Sequence, residues 1–288
     1  MLHFIYNPCA GKGKAKNARI IVAERLKALG VEHKFHRTTA PRDAKRIAGE
    51  LTREGADSIV AIGGDGTLNE VLNGLQDPGR VKLGLIPSGS GNDFASAAGL
   101  PLDPLEALRI ILDGEARPTD FMDCSGVRGI NLIGAGIDVD ILRVYEKLPF
   151  GGPPGYLTAL IKTLFNFRFY EITEQFAGKS VSHRALIACA GNGKSCGGGI
   201  TLCPEASLDD GMMDIVIVEE MKKSRIPASF LKLMKKQILT LPQTVFRRSD
   251  RLTITSEHPL PVQIDGEIYD SLPFDVRLIS EELRFFRP

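Results

Sequence analysis

An apolar run that breaks at Gly63-Gly64-Asp65-Gly66-Thr67 and resumes at helical spacing constrains this chain more than any other stretch. Ile59, Val60, Ala61 and Ile62 follow one another without polar interruption, which predicts a buried strand. Three glycines in four positions then let the backbone turn through φ values closed to other residues, and leave room for a ligand against the main chain. Thr67 and Asn69 open a helix whose Leu68, Val71, Leu72 and Leu75 share one face. Its free N–H groups and positive dipole end point at the glycine loop and make a ready anion site. Asp65 stands in the middle of that site. A carboxylate there repels a bare phosphate, so a Mg²⁺-nucleotide fits better. Taken alone, the stretch also has a plainer reading as a glycine turn with Asp65 as a helix cap.

The same strand, loop and helix order recurs on both sides. Leu2 to Tyr6 predicts a strand, Asn7-Pro8-Cys9-Ala10-Gly11-Lys12-Gly13 a glycine-bearing turn, and Ala15 to Leu29 a helix stopped by Gly30. This is not a P-loop, because the G-x-x-x-x-G-K-[ST] spacing is absent. Val31 to Arg37 and Val81 to Ile86 read as further strands, and Pro87-Ser88-Gly89-Ser90-Gly91-Asn92-Asp93-Phe94 as a third polar glycine loop. Strands alternating with helices predict a parallel sheet covered on both faces, with ligands bound beyond the carboxyl ends of its strands. All three loops fall there. After Asp120 the segments become short, β-rich and punctuated by Gly, Pro, Asp and Ser, which predicts an antiparallel β-sandwich. Helices are expected over Tyr156 to Phe167 and Ala228 to Leu239. The expected domains are 1–122 and 123–288.

At 288 residues, two domains are the natural division. Lys+Arg number 36 against 35 Asp+Glu, so no global charge favours nucleic acid and any electrostatic partner is local. Five cysteines with no Cys-x-x-Cys pair read as reduced thiols of a cytoplasmic protein. The apolar run at the N-terminus is too short for a signal peptide, and no segment has the apolar length that spans a bilayer.

Together, Asn7-Pro-x-x-Gly11-Lys12, Gly63-Gly-Asp-Gly-Thr-Leu-Asn-Glu70 and Pro87-Ser-Gly-Ser-Gly-Asn-Asp-Phe94 closely resemble the diacylglycerol kinase catalytic domain, in its soluble bacterial lipid kinase branch. Gly191-Asn192-Gly193, Gly197 to Gly199, Pro204 to Gly211 with its Leu208-Asp209-Asp210-Gly211, and Asp265-Gly266-Glu267 extend the resemblance over nearly the whole chain. Gly-Gly-Asp-Gly alone is shared with NAD kinases and phosphofructokinases, whereas the combination is specific to lipid kinases. The resemblance implies an α/β plus all-β protein, with a three-layer nucleotide domain of the NAD kinase and phosphofructokinase type and a sandwich that carries lipid and metal determinants. The active site it implies is the cleft between them.

The activity it implies is transfer of the γ-phosphoryl group of ATP to a lipid hydroxyl, giving phosphatidic acid from diacylglycerol. By motif, Asn7, Pro8, Cys9, Ala10, Gly11, Thr38, Gly64, Asp65, Gly66, Thr67, Leu68, Asn69, Glu70 and Ser90 contact ATP. Asp65 helps hold the catalytic Mg²⁺ and Glu267 accepts the proton. Ser207, Asp210 and Met212 form a second Mg²⁺ site, Asp210 through its side chain and the other two through backbone carbonyls. Two positions depart from the family pattern. Ala10 replaces the usual Ser, and Ser90 replaces a common Thr but keeps the hydroxyl. Without the resemblance, Asp265-Gly266-Glu267 is a hairpin turn.

Met221 to Arg248 carries eight basic residues, Lys223 among them, and no acidic one. With apolar residues at helical spacing, that segment fits an anionic membrane surface, at about 1 kcal/mol per basic residue. The same segment also reads as a helix packed on the sandwich with a solvated basic rim. The alternatives to a diacylglycerol kinase are a kinase of phosphatidylglycerol or a sphingoid base, and a regulatory protein that binds nucleotide or lipid without turnover. Family analogy allows a homodimer. No nucleic acid is expected.

Overall fold

The computed structural model describes residues 1–176 and 178–288, except for the side chain of Lys223. Contacts divide the chain into a unit of residues 1–120 with 280–288 and a unit of residues 121–279.

The first unit alternates as its sequence pattern requires: β1 (Leu2–Tyr6), α1 (Lys14–Ala28), β2 (His33–Arg37), α2 (Asp43–Arg53), β3 (Ser58–Gly63), α3 (Asp65–Gly74), β4 (Lys82–Pro87), α4 (Asp93–Ala97) and α5 (Pro104–Asp113), before β5 (Ala116–Cys124). The strands are parallel in the order β2-β1-β3-β4, with Phe4 opposite both Phe35 and Val60, and Ile62 opposite Ile86. β3 is buried along its whole length, which is why its sequence runs apolar rather than alternating. Val22, Leu26, Leu108 and Ile111 cover Phe4, Val60, Ile62 and Ile86 on one face.

The second unit holds β6 (Val127–Gly129), β7 (Leu132–Gly136), α6 (Ile137–Tyr145), α7 (Gly152–Leu164), β8 (Tyr170–Phe176), β9 (Lys179–Gly191), β10 (Ser195–Cys196), β11 (Ile200–Thr201), β12 (Met213–Glu219), α8 (Ile226–Met234), β13 (Thr244–Ser249), β14 (Arg251–Thr255), β15 (Val262–Ile264), β16 (Glu267–Tyr269) and most of β17 (Phe274–Phe286). Its ladders are antiparallel, with β9 between β7 and β8 and also paired to β12. Strand β12 shows how both of its faces are used. Met213, Ile215 and Ile217 enter the sandwich core with Leu252, Ile254 and Val276, while Val216 and Val218 face a second cluster built on α6, α7 and α8.

Three elements differ from their sequence expectation. α7 begins at Gly152, because Pro153 and Pro154 fall in a first turn whose N–H groups need no helical partner. α8 ends at Met234, and Lys236 takes φ +60 two residues on. The last strand runs past Ile279, turning at Glu281 (φ +63), so that Arg284 and Phe285 extend the first unit's sheet opposite Lys82 and Leu83.

Candidate functional site

In the first unit the three glycine loops converge at the carboxyl ends of β1, β3 and β4. Gly11, Lys12 and Gly13 all take positive φ, at +58, +57 and +92, and a Cβ on Gly11 would lie 2.1 Å from the Ser88 carbonyl oxygen. Only glycine permits that approach. Ser88 N–H donates to the Gly63 carbonyl at 2.7 Å, and a Cβ on Gly64 would lie 2.8 Å from the Gly89 Cα. The first loop is held by its own Asn7, whose Oδ1 accepts the Cys9 N–H at 3.0 Å.

Asp65 has a role that its sequence context did not show. Its carboxylate accepts the N–H groups of Asp93 (3.2 Å) and Phe94 (3.0 Å), at the start of α4 rather than of its own helix. It thereby ties the second loop to the third, and each oxygen retains lone-pair capacity toward a cation. No side chain caps α3, whose N-cap is Gly64. Glu70 likewise works at a distance: its two oxygens accept the Arg42 and Ala44 N–H groups at 3.1 Å and brace the start of α2.

The other expected nucleotide contacts differ in what they can offer. Cys9, Gly66 and Ser90 are exposed, while Thr38, Thr67, Leu68 and Asn69 are buried. Leu68 can reach a ligand only through its backbone. Thr38 N–H is bonded to the Tyr6 carbonyl at 3.0 Å. Beside it, hydrogen bonds from the Thr39 hydroxyl and N–H pull the Asp43 carboxyl down to about 2 and fix this turn.

In the second unit Glu267 is exposed and follows directly on a two-residue Asp-Gly turn joining β15 to β16, with Asp265 at φ +47 and Gly266 at φ +93. The Asp265 carboxylate accepts three backbone N–H groups, from Ile130 (2.7 Å), Asn131 (2.9 Å) and Leu132 (2.9 Å). The turn is therefore a clamped platform for Glu267. Removing that carboxylate leaves three donors competing for water, so Asp265→Ala is expected to lower stability by about 3 kcal/mol in urea denaturation, with Asp265→Asn losing less.

Around the expected second Mg²⁺ site, Asp210 accepts the Met212 N–H at 3.1 Å and an Arg248 guanidinium hydrogen bond. The Ser207 hydroxyl donates to Asp209 at 2.9 Å. Arg248 also reaches Asp214 at 3.2 Å, whose carboxyl burial raises to about 6. Among the described residues no three His, Cys, Asp or Glu side chains gather as a metal cluster. A cation at 207–212 would share Asp210 with Arg248.

The family models match in the same two parts. Residues 1–124 match the diacylglycerol kinase catalytic domain and residues 131–287 the YegS C-terminal NAD kinase β-sandwich-like domain. This chain belongs to the diacylglycerol kinase family. Within that family, a Xanthomonas euvesicatoria pv. vesicatoria protein named "Probable lipid kinase YegS-like" is 33% identical over 279 residues, covering 91% of this chain and 89% of the relative. The diacylglycerol kinase of Bacillus subtilis (strain 168) is 31% identical over 273 residues, covering 93% and 90%. A solved structure of a diacylglycerol kinase from Bacillus anthracis str. Sterne shares the fold at TM-score 0.78 and 22% identity, covering all of this chain and 96% of its own. This member of the family is thus a lipid kinase with an α/β domain and a β-sandwich domain.

Proposed function

We propose that this lipid kinase transfers the γ-phosphoryl group of ATP to the free hydroxyl of diacylglycerol. The convergence of three glycine loops at one end of a parallel sheet carries the reading. They present backbone N–H groups where phosphates need positioning, and positioning with charge stabilisation is most of what phosphoryl transfer asks of a protein. Residues 7–11, Gly64 to Asn69 and the Ser90 hydroxyl bind the nucleotide. Glu267 takes the proton of the attacking hydroxyl. Asp65 would help to hold a Mg²⁺ ion, which would supply charge neutralisation at the phosphates. Diacylglycerol, phosphatidylglycerol and a sphingoid base offered together in mixed micelles with labelled Mg-ATP test the acceptor. Label in phosphatidic acid is the expected result; label confined to another lipid overturns the choice of diacylglycerol.

Peripheral contact with an anionic bilayer supplies the acceptor. No helix of the described residues is long and apolar enough to cross a membrane. α8 exposes Leu231 (60%) and Met234 (44%) among Lys232, Lys235 and Lys236. Two of the eight basic charges of this segment are spent inside the protein. Arg247 pairs at 3.2 Å with Glu174, a buried group that also meets His183, and Arg248 pairs with Asp210 and Asp214. Lys223 lies outside the described side chains. Reversing the exposed Lys222 and Lys235 to Glu is expected to weaken sedimentation with phosphatidylglycerol-containing vesicles about tenfold or more, and 0.5 M salt should do the same to wild type.

A further inference from the structure

The hairpin that bears Glu267 has a second anchor besides Asp265, and it is buried. Gln263, two residues before that turn, is 4% exposed on β15, between Val262 and Ile264, which are fully buried. Its Oε1 accepts the Gly266 N–H at 3.0 Å. The other end of the same amide hydrogen-bonds the carboxyl of Asp138, which is 2% exposed in the first turn of α6. Gly134, opposite Gln263 on β7, makes room for that contact. A Cβ there would lie 2.0 Å from the Asp138 Oδ2 and 3.2 Å from the Gln263 Nε2. Asp138 Oδ1 is engaged separately, by the Val139 N–H at 3.0 Å. A chain of contacts thus runs from the start of α6 through one glutamine to the Asp265–Gly266 peptide, next to Glu267.

We infer that Gln263 is a positioning residue for the reaction: oriented by Asp138, it fixes the Asp265–Gly266 peptide and with it the direction in which Glu267 projects. The inference rests on the reading of Glu267 as the base and names what aims it. A primary amide has a donor end and an acceptor end of nearly the same shape, so packing alone does not choose between them. The charge of its partner does. A carboxylate only accepts, so it takes an Nε2 proton and leaves Oε1 turned toward the Gly266 N–H. Reversing the amide would set one donor against another away from water. Burial pushes the Asp138 carboxyl up to about 7, while the Gln263 hydrogen bond acts the other way and favours the ionised form. At about pH 8 the carboxylate therefore predominates. Asp140 on α6 and the Cys189 thiol on β9 are further titratable groups whose fields meet it. Stability does not require such a pair, because apolar side chains of the same shape in place of both partners can be nearly neutral. What the polar pair adds is a single orientation of the turn.

The test is a double-mutant cycle on lipid phosphorylation by the full-length protein at about pH 8, read as kcat and as KM for ATP. Gln263→Met keeps the bulk and removes both contacts. It should lower kcat about ten- to a hundredfold with KM for ATP within about a factor of two. Asp138→Asn presents a donor to the glutamine amide, which then reverses, and should fail similarly. Gln263→Glu places two carboxyls against each other, one of which must hold a proton. Its kcat should therefore be low at about pH 8 and recover toward about pH 6. Asp138→Asn combined with Gln263→Glu restores every hydrogen bond, since the amide at 138 donates to the carboxylate at 263, which still accepts the Gly266 N–H. That double variant is expected to return kcat to within about threefold of wild type at about pH 8. Wild-type kcat in Gln263→Met, or a double variant no better than the worse single, overturns the proposal. Should the single variants not fold, wild type labelled with ¹⁵N-glycine decides instead. Its Gly266 amide resonance should shift with the ionisation of Asp138, near 7, and a resonance unmoved between about pH 6 and 8 overturns the proposal. A wild type that phosphorylates no lipid fails the function proposed above, whereas the same resonance still decides whether Gln263 holds the turn.

Discussion

Glu267→Ala is expected to lower kcat for lipid phosphorylation by about 10²–10⁴-fold while leaving ATP affinity within a factor of two. The side chain is exposed beside a turn that Asp265 holds through three backbone N–H groups, so its removal changes neither the hairpin nor the glycine loops of the first unit. A base acts on the acceptor's proton, so its loss should leave KM for ATP nearly unchanged. Glu267→Gln should fail as completely as Ala, since the amide keeps the shape and loses the basicity. A Glu267→Gln enzyme with wild-type kcat would remove the residue from proton transfer.

Gly89→Ala is expected to abolish measurable nucleotide binding or to destabilise the first unit by about 3 kcal/mol. The reason is space rather than backbone conformation. A Cβ at position 89 would stand 2.4 Å from the Gly64 Cα and 2.8 Å from the Asn92 Oδ1. The first of these neighbours is main chain, which cannot swing aside, so the two loops must part. Parting them also breaks the registration that Asp65 imposes through Asp93 and Phe94. Gly66→Ala is the matched control. Nothing lies within 4 Å of a Cβ at Gly66, and alanine in the first turn of α3 should hold or slightly raise the unfolding midpoint. Equal loss of stability in both variants would contradict the packing argument.

The parts of this protein legible in its sequence are those in which neighbouring residues cause the structure. β3 and α3 were readable because Ile59 to Ile62 and Leu68, Val71 and Leu72 carry their own periodicity, and the Asp265-Gly266 turn because that dipeptide supplies the two positive φ angles a tight hairpin needs. What the sequence left hidden depends on partners far along the chain. Glu70 sits 28 residues from the Arg42 N–H that it accepts, and Asp65 lies 28 and 29 residues from the two that it caps. A carboxylate beside a glycine loop reads as a metal ligand, and nothing local says that it also braces another helix. The basic stretch ending in Arg247 and Arg248 similarly looks uniform until Glu174, Asp210 and Asp214 arrive from elsewhere in the chain to claim two of its charges.

The lipid kinase reading stands most directly on one measurement: the time course of radiolabel transferred from the γ-position of Mg-ATP to diacylglycerol in mixed micelles by the purified protein. Labelled phosphatidic acid that accumulates with time, and that requires both the lipid and the divalent cation, is the predicted result. Saturable ATP binding with no label on any lipid would contradict it and leave a protein that binds nucleotide without phosphorylating its lipid.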